Sequence, residues 1–304
     1  MLHFLQTLID AASLGSLFAL SALGIGLLFG ILRLINFAHG EFVAIGAYAL
    51  IVPSANAAAV MFIGEWQAAP LVIAVSTIVV VFALISDALV FRRLRRADAS
   101  TLMIASFAVG YVIQHMLLMI YGARPKALGL WSDLTRVLDL WGLRVPLLQI
   151  VVILSTAILL SALVVFLRHT RFGIQMRAAS EDFAMARYLG VKSNRVIGLA
   201  FGISGGLAAI VSLMLVAQTG VISPGMGVNV VLFAFVSTVV GGMGSLPGAV
   251  FGGLLVGMAT SFLQAYLPAD IRPFRDAFVF GFVILLLLVR PSGLIRVKAL
   301  EQRI

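Results

Sequence analysis

Three polar residues lie close together near the start of the chain, between two apolar runs. Asn36, His39 and Glu41 fall within the stretch NFAHGE. An ionisable group at the centre of a bilayer costs about 2.5–3.5 kcal/mol on insertion scales, so it is rarely incidental there. At such a depth these side chains could line a solute path. At the membrane interface they would only cap the helix that follows, and the sequence leaves both readings open.

The other polar residues give no pattern for catalysis or metal binding. The four histidines are scattered without ligand spacing, and the chain has no cysteine, which excludes disulfides and cysteine-based metal or redox sites. No Ser/His/Asp order or carboxylate pair indicates an enzyme. Single polar residues within apolar runs are predicted to hydrogen-bond between helices; they are Asp87, Gln114, His115, Gln218 and Gln264. Asp87 also has Arg92 nearby as a partner.

A second irregular stretch, GGMGSLPG at 241–248, is too rich in glycine for a smooth helix. It lacks the Gly-Lys-Ser/Thr ending of an ATP-binding loop. Four of its residues therefore join Asn36, His39 and Glu41 as candidates for a translocation path: Gly241, Gly242, Gly244 and Pro247. The alternative is ordinary packing, because small residues four apart let membrane helices approach closely.

Composition identifies the class of protein that must position these residues. Of the 304 residues, 62% are hydrophobic and 11% are charged, which predicts an integral membrane protein with a single transmembrane domain over 1–304. Such a chain has no room for a soluble catalytic domain. The formal charge of +9 comes from basic residues at the ends of apolar segments, a topology signal that argues against nucleic-acid binding.

The apolar runs predict an all-α polytopic protein of about eight membrane segments, some broken or re-entrant. A clean span needs roughly 20 residues. The run after Glu41 should break or end at Pro53, and 230–267 should form a broken hairpin because 230–240 covers only about 16 Å as a helix. The predicted segments are 8–32, a run opening at 36–41, 69–91, 100–121, 147–167, 196–218, the pieces 230–240 and 249–267, and 274–289.

The positions of the basic residues predict the orientation of these segments. Most of the 21 Lys and Arg residues, including the arginines of 92–96 and the tail after 289, fall on one side. The positive-inside rule then places the N-terminus outside and the C-terminus inside the cell. The moderately polar segment 122–146, with Trp131 and Trp141, becomes an outer, interfacial segment.

The longest polar interruption, 168–195, carries six basic residues and so lies on the cytoplasmic side. A short helix is predicted within it: Ser180 as its cap, Glu181 and Asp182 at its positive end, and Gly190 closing it. At helical spacing, Phe183, Ala186 and Gly190 share one face, whereas Glu181, Met185 and Tyr188 fall on the opposite one. The helix either docks on a partner or rests on the lipid surface.

Three motifs in this order resemble the permease subunits of high-affinity branched-chain amino-acid ABC importers. They are LINFAHGE at 34–41, the segment from Ala179 to Val191 with Glu181, Asp182, Ala186 and Gly190, and VVGGMGSLPGA at 239–249. The resemblance covers nearly the whole chain. It implies about eight membrane segments in a bacterial inner membrane, a second permease (copy or paralogue), two cytosolic ATPases and a periplasmic solute-binding protein.

The resemblance also implies a role for the cytoplasmic helix, which in such permeases couples to the ATPase. The ATPase-coupling residues would be Ser180, Glu181, Asp182, Phe183, Ala186 and Gly190. This chain would need no cofactor, because ATP and Mg²⁺ would bind the partner ATPases. Urea and short-amide importers have similar permeases and remain an alternative, as does a stand-alone secondary transporter with two broken helices. A membrane-embedded enzyme would need a catalytic constellation that the residues do not supply.

Overall fold

The computed structural model describes residues 2–54, 56, 58–95, 97–140, 142–181 and 183–295. Three residues and one segment that the predictions used lie outside the described residues: Arg96, Trp141, Asp182 and the basic tail 296–304. The side chain of Phe183 also lies outside them.

Helices dominate the described residues. They are α1 Leu2–Leu32, α2 His39–Tyr48, α3 Ala68–Ser86, α4 Ala99–Tyr121, α5 Leu147–His169, α6 Arg171–Glu181, α7 Phe183–Tyr188, α8 Ser193–Thr219, α9 Met226–Gly241, α10 Leu246–Tyr266 and α11 Arg275–Val289. A π-helical turn, Asp87–Phe91, extends α3, and short 3₁₀ turns cover Ile63–Glu65, Ser132–Thr135 and Arg272–Phe274.

The connections carry short antiparallel strand pairs. Their strands are β1 Ile51–Val52, β2 Val60–Met61, β3 Lys126–Ala127, β4 Val137–Leu140, β5 Leu143–Pro146 and β6 Val221–Ile222. β1 pairs with β2, β3 with β6, and β4 with β5. Two of these pairs close hairpins, because their strands follow one another in the chain.

Six of the described helices are long and apolar enough to cross a membrane: α1, α3 with its π turn, α4, α5, α8 and α10. The prediction of an all-α polytopic membrane protein is confirmed at this level. The shorter helices α2, α9 and α11 have 10, 16 and 15 residues. At 1.5 Å per residue α9 covers about 24 Å, more than predicted, because it begins at Met226 rather than at residue 230.

Two further boundaries differ from the predictions. α2 ends at Tyr48, before Pro53, and the chain then enters the β1–β2 hairpin. α8 begins at Ser193, three residues before its predicted start. Both errors have one cause. A run of apolar residues indicates how long the buried part of a segment is, whereas the residue at which a helix ends depends on local hydrogen bonds.

The chain divides into two compact units. Unit 1 comprises Met1–Gly26, Trp131–Ala162 and Phe233–Ile304, and unit 2 comprises Leu27–Leu130 and Leu163–Leu232. In unit 2, α2 packs against α3, α4 and α8, and α3 packs along α8. All ten residues of α2 are buried.

In unit 1, α10 crosses the first part of α1 at very close range. A Cβ atom added at Gly15 would lie 3.0 Å from the Cα of Leu254, and one at Gly257 would lie 3.0 Å from the carbonyl carbon of Leu14. Small residues four apart on both helices, Gly253 with Gly257 and Gly15 with Ala19, make this approach sterically possible. The valines Val240, Val256, Val279 and Val283 form a buried core beside α10 and α11.

Candidate functional site

The residues Asn36, His39 and Glu41 are all buried within unit 2. None of the three caps α2 by its side chain. The N-cap residue is Ala38, and the start of the helix has no side-chain capping hydrogen bond. Asn36 instead accepts a hydrogen bond from the Ala38 N–H at 3.1 Å, within the turn before the helix. The capping interpretation of His39 and Glu41 is therefore wrong.

His39 faces α8. Its Nδ1 lies 3.0 Å from the hydroxyl oxygen of Ser204, and its other ring nitrogen, Nε2, is buried without a hydrogen-bond partner. Two turns further along α2, a Cβ at Gly46 would lie 2.9 Å from the Ser212 side chain, so the two helices remain close. The Nδ2 of Asn36 is likewise buried and unpartnered.

Glu41 occupies a different side of α2, next to α4 and the start of α9. A Cβ added at Gly227 would lie 2.7 Å from Oε1 of Glu41, and one at Gly110 would lie 3.6 Å from its Cγ. The carboxylate is 4% exposed and its Oε2 has no hydrogen-bond partner. Seven residues later, Tyr48 stacks at an angle on Tyr121 of α4, 4.7 Å between ring centroids, and its hydroxyl is also buried and unpartnered.

One stripe of α4 completes this cluster. Ser106, Gly110 and Gln114 follow at intervals of four and so share a face. The Ser106 hydroxyl accepts from the Phe37 N–H at 3.1 Å, and Gln114 donates to the carbonyl of Pro224 at 3.4 Å. The arrangement places several buried polar atoms with unused hydrogen-bonding capacity along α2.

The glycine-rich stretch 241–248 lies in unit 1, so the two sets of path candidates belong to different units. Gly242 and Gly244 have φ of +107° and +89°, and they form the tight turn between α9 and α10. Ser245 caps α10 by accepting from the Gly248 N–H at 3.0 Å, with Pro247 in the first turn. The density of glycine thus has a local structural cause.

The end of α9 is closed by a segment from the C-terminal part of the chain. The N–H groups of Leu294 and Ile295 donate to the carbonyls of Val240 and Gly241 at 2.8 and 3.0 Å. These contacts satisfy carbonyls that a helix end otherwise leaves unpaired.

In the basic segment, the structure has two helices where one was predicted: α6 covers the predicted start at Ser180, and α7 ends just before Gly190. Thr170 is the cap of α6, because its hydroxyl accepts from the Gly173 N–H at 3.0 Å. Ser180 lies near the end of α6 and donates to the carbonyl of Arg177 at 2.7 Å, so its prediction as a cap is wrong. Glu181 is consequently the last residue of α6 rather than part of a positive helix end.

The prediction that Gly190 closes the helix is confirmed. Its φ is +88°, its N–H donates to Arg187, and the next N–H, that of Val191, donates to Ala186 at 3.0 Å. These bonds resemble the usual glycine-terminated helix end. Ala186 is buried, so it does not belong to an exposed docking face with Gly190.

The exposed side of α7 and the turn after it carries three large apolar residues that the sequence analysis did not select as a surface. Met185, Tyr188 and Leu189 are 55%, 88% and 78% exposed. The sequence does contain a signal for this surface, because three large apolar residues occur within the five residues 185–189 of an otherwise basic segment.

Asp87 forms a buried ion pair at the end of α3. Both of its carboxylate oxygens accept from Arg95, at 3.0 and 3.1 Å, and Arg92 lies at 4.0 Å. The predicted pairing with Arg92 is therefore secondary to the one with Arg95. Arg95 also hydrogen-bonds the side chain of Asn194, at the start of α8. Within the described residues, no group of three or more His, Asp or Glu side chains could hold a metal ion.

Comparison with known proteins gives consistent matches. The family described as "Branched-chain amino acid transport system / permease component" matches residues 7–289. The permease protein BraD of Pseudomonas aeruginosa is 32% identical over 99% of this chain and 98% of its own length, and LivH of Escherichia coli K12 is 34% identical over the same shares. The autoinducer 2 import permease LsrC of Klebsiella pneumoniae is 33% identical over 45% of this chain and 41% of its own. No solved structure matches significantly.

Proposed function

The chain belongs to the family of permease components of branched-chain amino acid transport systems, which are ABC importers, and from this premise we propose that it forms half of an inner-membrane pore for branched-chain amino acids. The observation that carries the proposal is the match of relatives with that name along the whole chain. A second permease, a copy or a paralogue, would form the other half. ATP and Mg²⁺ would bind two partner ATPases, and a periplasmic protein would deliver the solute.

Uptake into vesicles tests this proposal. The permease, reconstituted with its ATPase and binding-protein subunits, is expected to import leucine only when ATP is present on the ATPase side. Import of leucine by the purified permease alone would instead establish a secondary transporter. Import of urea or acetamide in preference to leucine would assign the chain to the amide-transporting alternative. LsrC, whose name specifies autoinducer 2, matches less than half of the chain. It therefore supports autoinducer 2 as the solute less strongly than BraD and LivH support branched-chain amino acids.

We propose that the N-terminus lies outside and that α6 and α7 lie in the cytosol, because Arg171, Arg177 and Arg187 are concentrated there. Single cysteines test the orientation directly, since the chain contains none. In the permease produced without its ATPase partners, Leu189→Cys should react with a membrane-impermeant maleimide only in inside-out vesicles. Val60→Cys, exposed in the β1–β2 hairpin, should react only in intact spheroplasts, and the opposite pattern would overturn the orientation.

We propose that Met185, Tyr188 and Leu189 form the contact with the ATPase. A water-facing helix that leaves three large apolar side chains exposed has a free-energy gain from covering them, about 25 cal/mol per Å² of apolar area. The lipid surface is a poorer occupant, because the segment also bears Glu181 and its exposed apolar residues lie at the helix end. Gly190 fixes the direction of the chain leaving this surface.

Co-purification of the ATPase tests the contact. Leu189→Asp is expected to lower the amount of ATPase retained by the permease about tenfold or more, since an interface core excludes unpaired charge. Val60→Asp, a matched apolar-to-acid change at another exposed position, is the control and should retain the ATPase. Equal retention by both variants would contradict the proposed surface.

A further inference from the structure

We propose that the carboxylate of Glu41 binds the positively charged amino group of the amino acid as it passes along α2. This inference rests on the proposed function and deepens it by assigning a chemical role to one residue. Asn36 and His39 face other neighbours, so they are not part of this contact.

The first observation is that Glu41 is an isolated buried acid. Its Oε2 has no hydrogen-bond partner, and none of the ion pairs found among the described residues includes it. Two residues that lie close to it, Gly110 and Gly227, offer no side-chain donor. A buried carboxylate without a cation is costly, and a transient cationic ligand would offset that cost.

The second observation is the bare backbone of α4 at Gly110, beside Glu41. At Gly110 an added Cβ would meet nothing closer than 3.6 Å, an ordinary van der Waals distance. Packing therefore does not require glycine at this position, although glycine is unfavourable within a helix by about 0.8–1.0 kcal/mol relative to alanine. Glycine at this position leaves the α4 backbone bare next to Glu41, so an approaching ammonium group would meet no side chain from residue 110.

The third observation is the continuation of polar groups along the same side of α2. Tyr48 is seven residues after Glu41, about two turns, and its buried hydroxyl is unpartnered. Gln114 lies one turn beyond Gly110 on α4. An ammonium group donates three hydrogen bonds, and bonds to a charged acceptor are about twice as strong as neutral ones.

Because this chain contains no cysteine, one introduced thiol gives a direct test in the importer assembled with partner subunits whose cysteines have been replaced. Gly110→Cys puts a thiol beside Glu41, and its reaction with a methanethiosulfonate reagent reports what reaches that point. The ammonium reagent (aminoethyl) is expected to react faster than the sulfonate reagent (sulfonatoethyl), because the carboxylate attracts cations. Adding Glu41→Gln should lower this cation-to-anion ratio about tenfold or more, whereas Glu41→Asp should largely keep it.

Protection by solutes then connects the site to transport. Leucine and 3-methylbutylamine should slow the labelling of Gly110→Cys, and 4-methylpentanoate, which lacks the amine, should not. In the Glu41→Gln background the protection should disappear. If Gly110→Cys fails to assemble, Gln114→Cys, one turn along α4, serves as the reporter.

The outcomes separate this inference from the proposed function. A ratio independent of Glu41, or a thiol that reacts with neither reagent with and without ATP, would overturn the ammonium site even if leucine uptake is intact. Failure of the wild-type complex to import leucine would instead overturn the proposed solute. Equal protection by leucine and 4-methylpentanoate would show that the amine is not what the site recognises.

Discussion

The close crossing of α1 and α10 gives a quantitative prediction for one methyl group. In Gly253→Ala the new Cβ would lie 2.8 Å from the carbonyl carbon of Phe18 and closer still to the backbone of Ala19. Carbon atoms normally approach to about 3.5–4.0 Å, so the two helices must separate by about 1 Å. Backbone atoms cannot rotate away as a side chain can.

The size of the effect follows from two opposing terms. Overpacking costs about 1–3 kcal/mol, and contact with backbone favours the upper end. Alanine recovers about 0.8–1.0 kcal/mol of helix propensity relative to glycine. We therefore expect Gly253→Ala to lower the free energy of unfolding by about 2 kcal/mol. With 304 residues and an unfolding entropy of about 2.1 cal/mol/K per residue, each kcal/mol shifts Tm by about 1.6 °C, which gives a decrease of about 3 °C.

The same substitution in another helix is the control. Gly281 lies within α11, and a Cβ there would meet no atom within 4 Å. Gly281→Ala should therefore keep only the propensity gain and raise Tm by about 1–2 °C. Thermal unfolding in one detergent, followed by tryptophan fluorescence, measures both variants. Equal Tm values for the two variants would refute the steric reasoning.

Two further predictions use matched pairs in the same way. Asp87→Asn breaks the buried pair with Arg95 and should destabilise the protein by about 3 kcal/mol. Asp133→Asn is the control: the side chain of Asp133 is 90% exposed, so Tm should change little. Similar decreases in Tm for the two variants would contradict the role of burial. Gly190→Val forces a residue with a side chain into φ +88°, at a cost of about 1–2 kcal/mol. It should reduce ATP-driven uptake and leave the affinity for the binding protein unchanged. Gly129→Val is the control: a side chain there meets open space and φ is not positive, so uptake should stay intact.

The long membrane helices could be predicted from the sequence because their signal is local. α4 begins at Ala99 and α5 at Leu147, within one residue of their predicted starts. A run of apolar residues of the right length encodes such a helix without reference to any other part of the chain. The positive φ of Gly190 was predictable for the same reason, since the helix end depends on only a few residues.

Helix starts in the basic segment were harder to predict, because a hydroxyl has several local partners. Ser180 and Thr170 are both suitable caps by residue type, but only Thr170 accepts from a free N–H at a helix start. Ser180 uses its hydroxyl on a carbonyl within α6. The choice depends on where the preceding helix ends, at His169, and composition does not give that position.

The surroundings of Glu41 could not be predicted, because its neighbours are distant in sequence. Gly110 and Gly227 approach the carboxylate only after α4 and the start of α9 have packed beside α2. The sequence identified the acid but not its side of the helix. It also could not show that His39 faces α8 instead.

The glycines of this chain therefore serve two purposes that only the structure separates. At Gly253 a methyl group would enter the backbone of the neighbouring helix, so glycine is required for the approach of the helices. At Gly110 a methyl group would make ordinary contacts, so packing gives no reason for glycine. A residue that costs stability without improving packing needs another explanation. Its position beside Glu41, whose Oε2 has no hydrogen-bond partner, supplies one, because a ligand approaching that carboxylate would meet no side chain from residue 110.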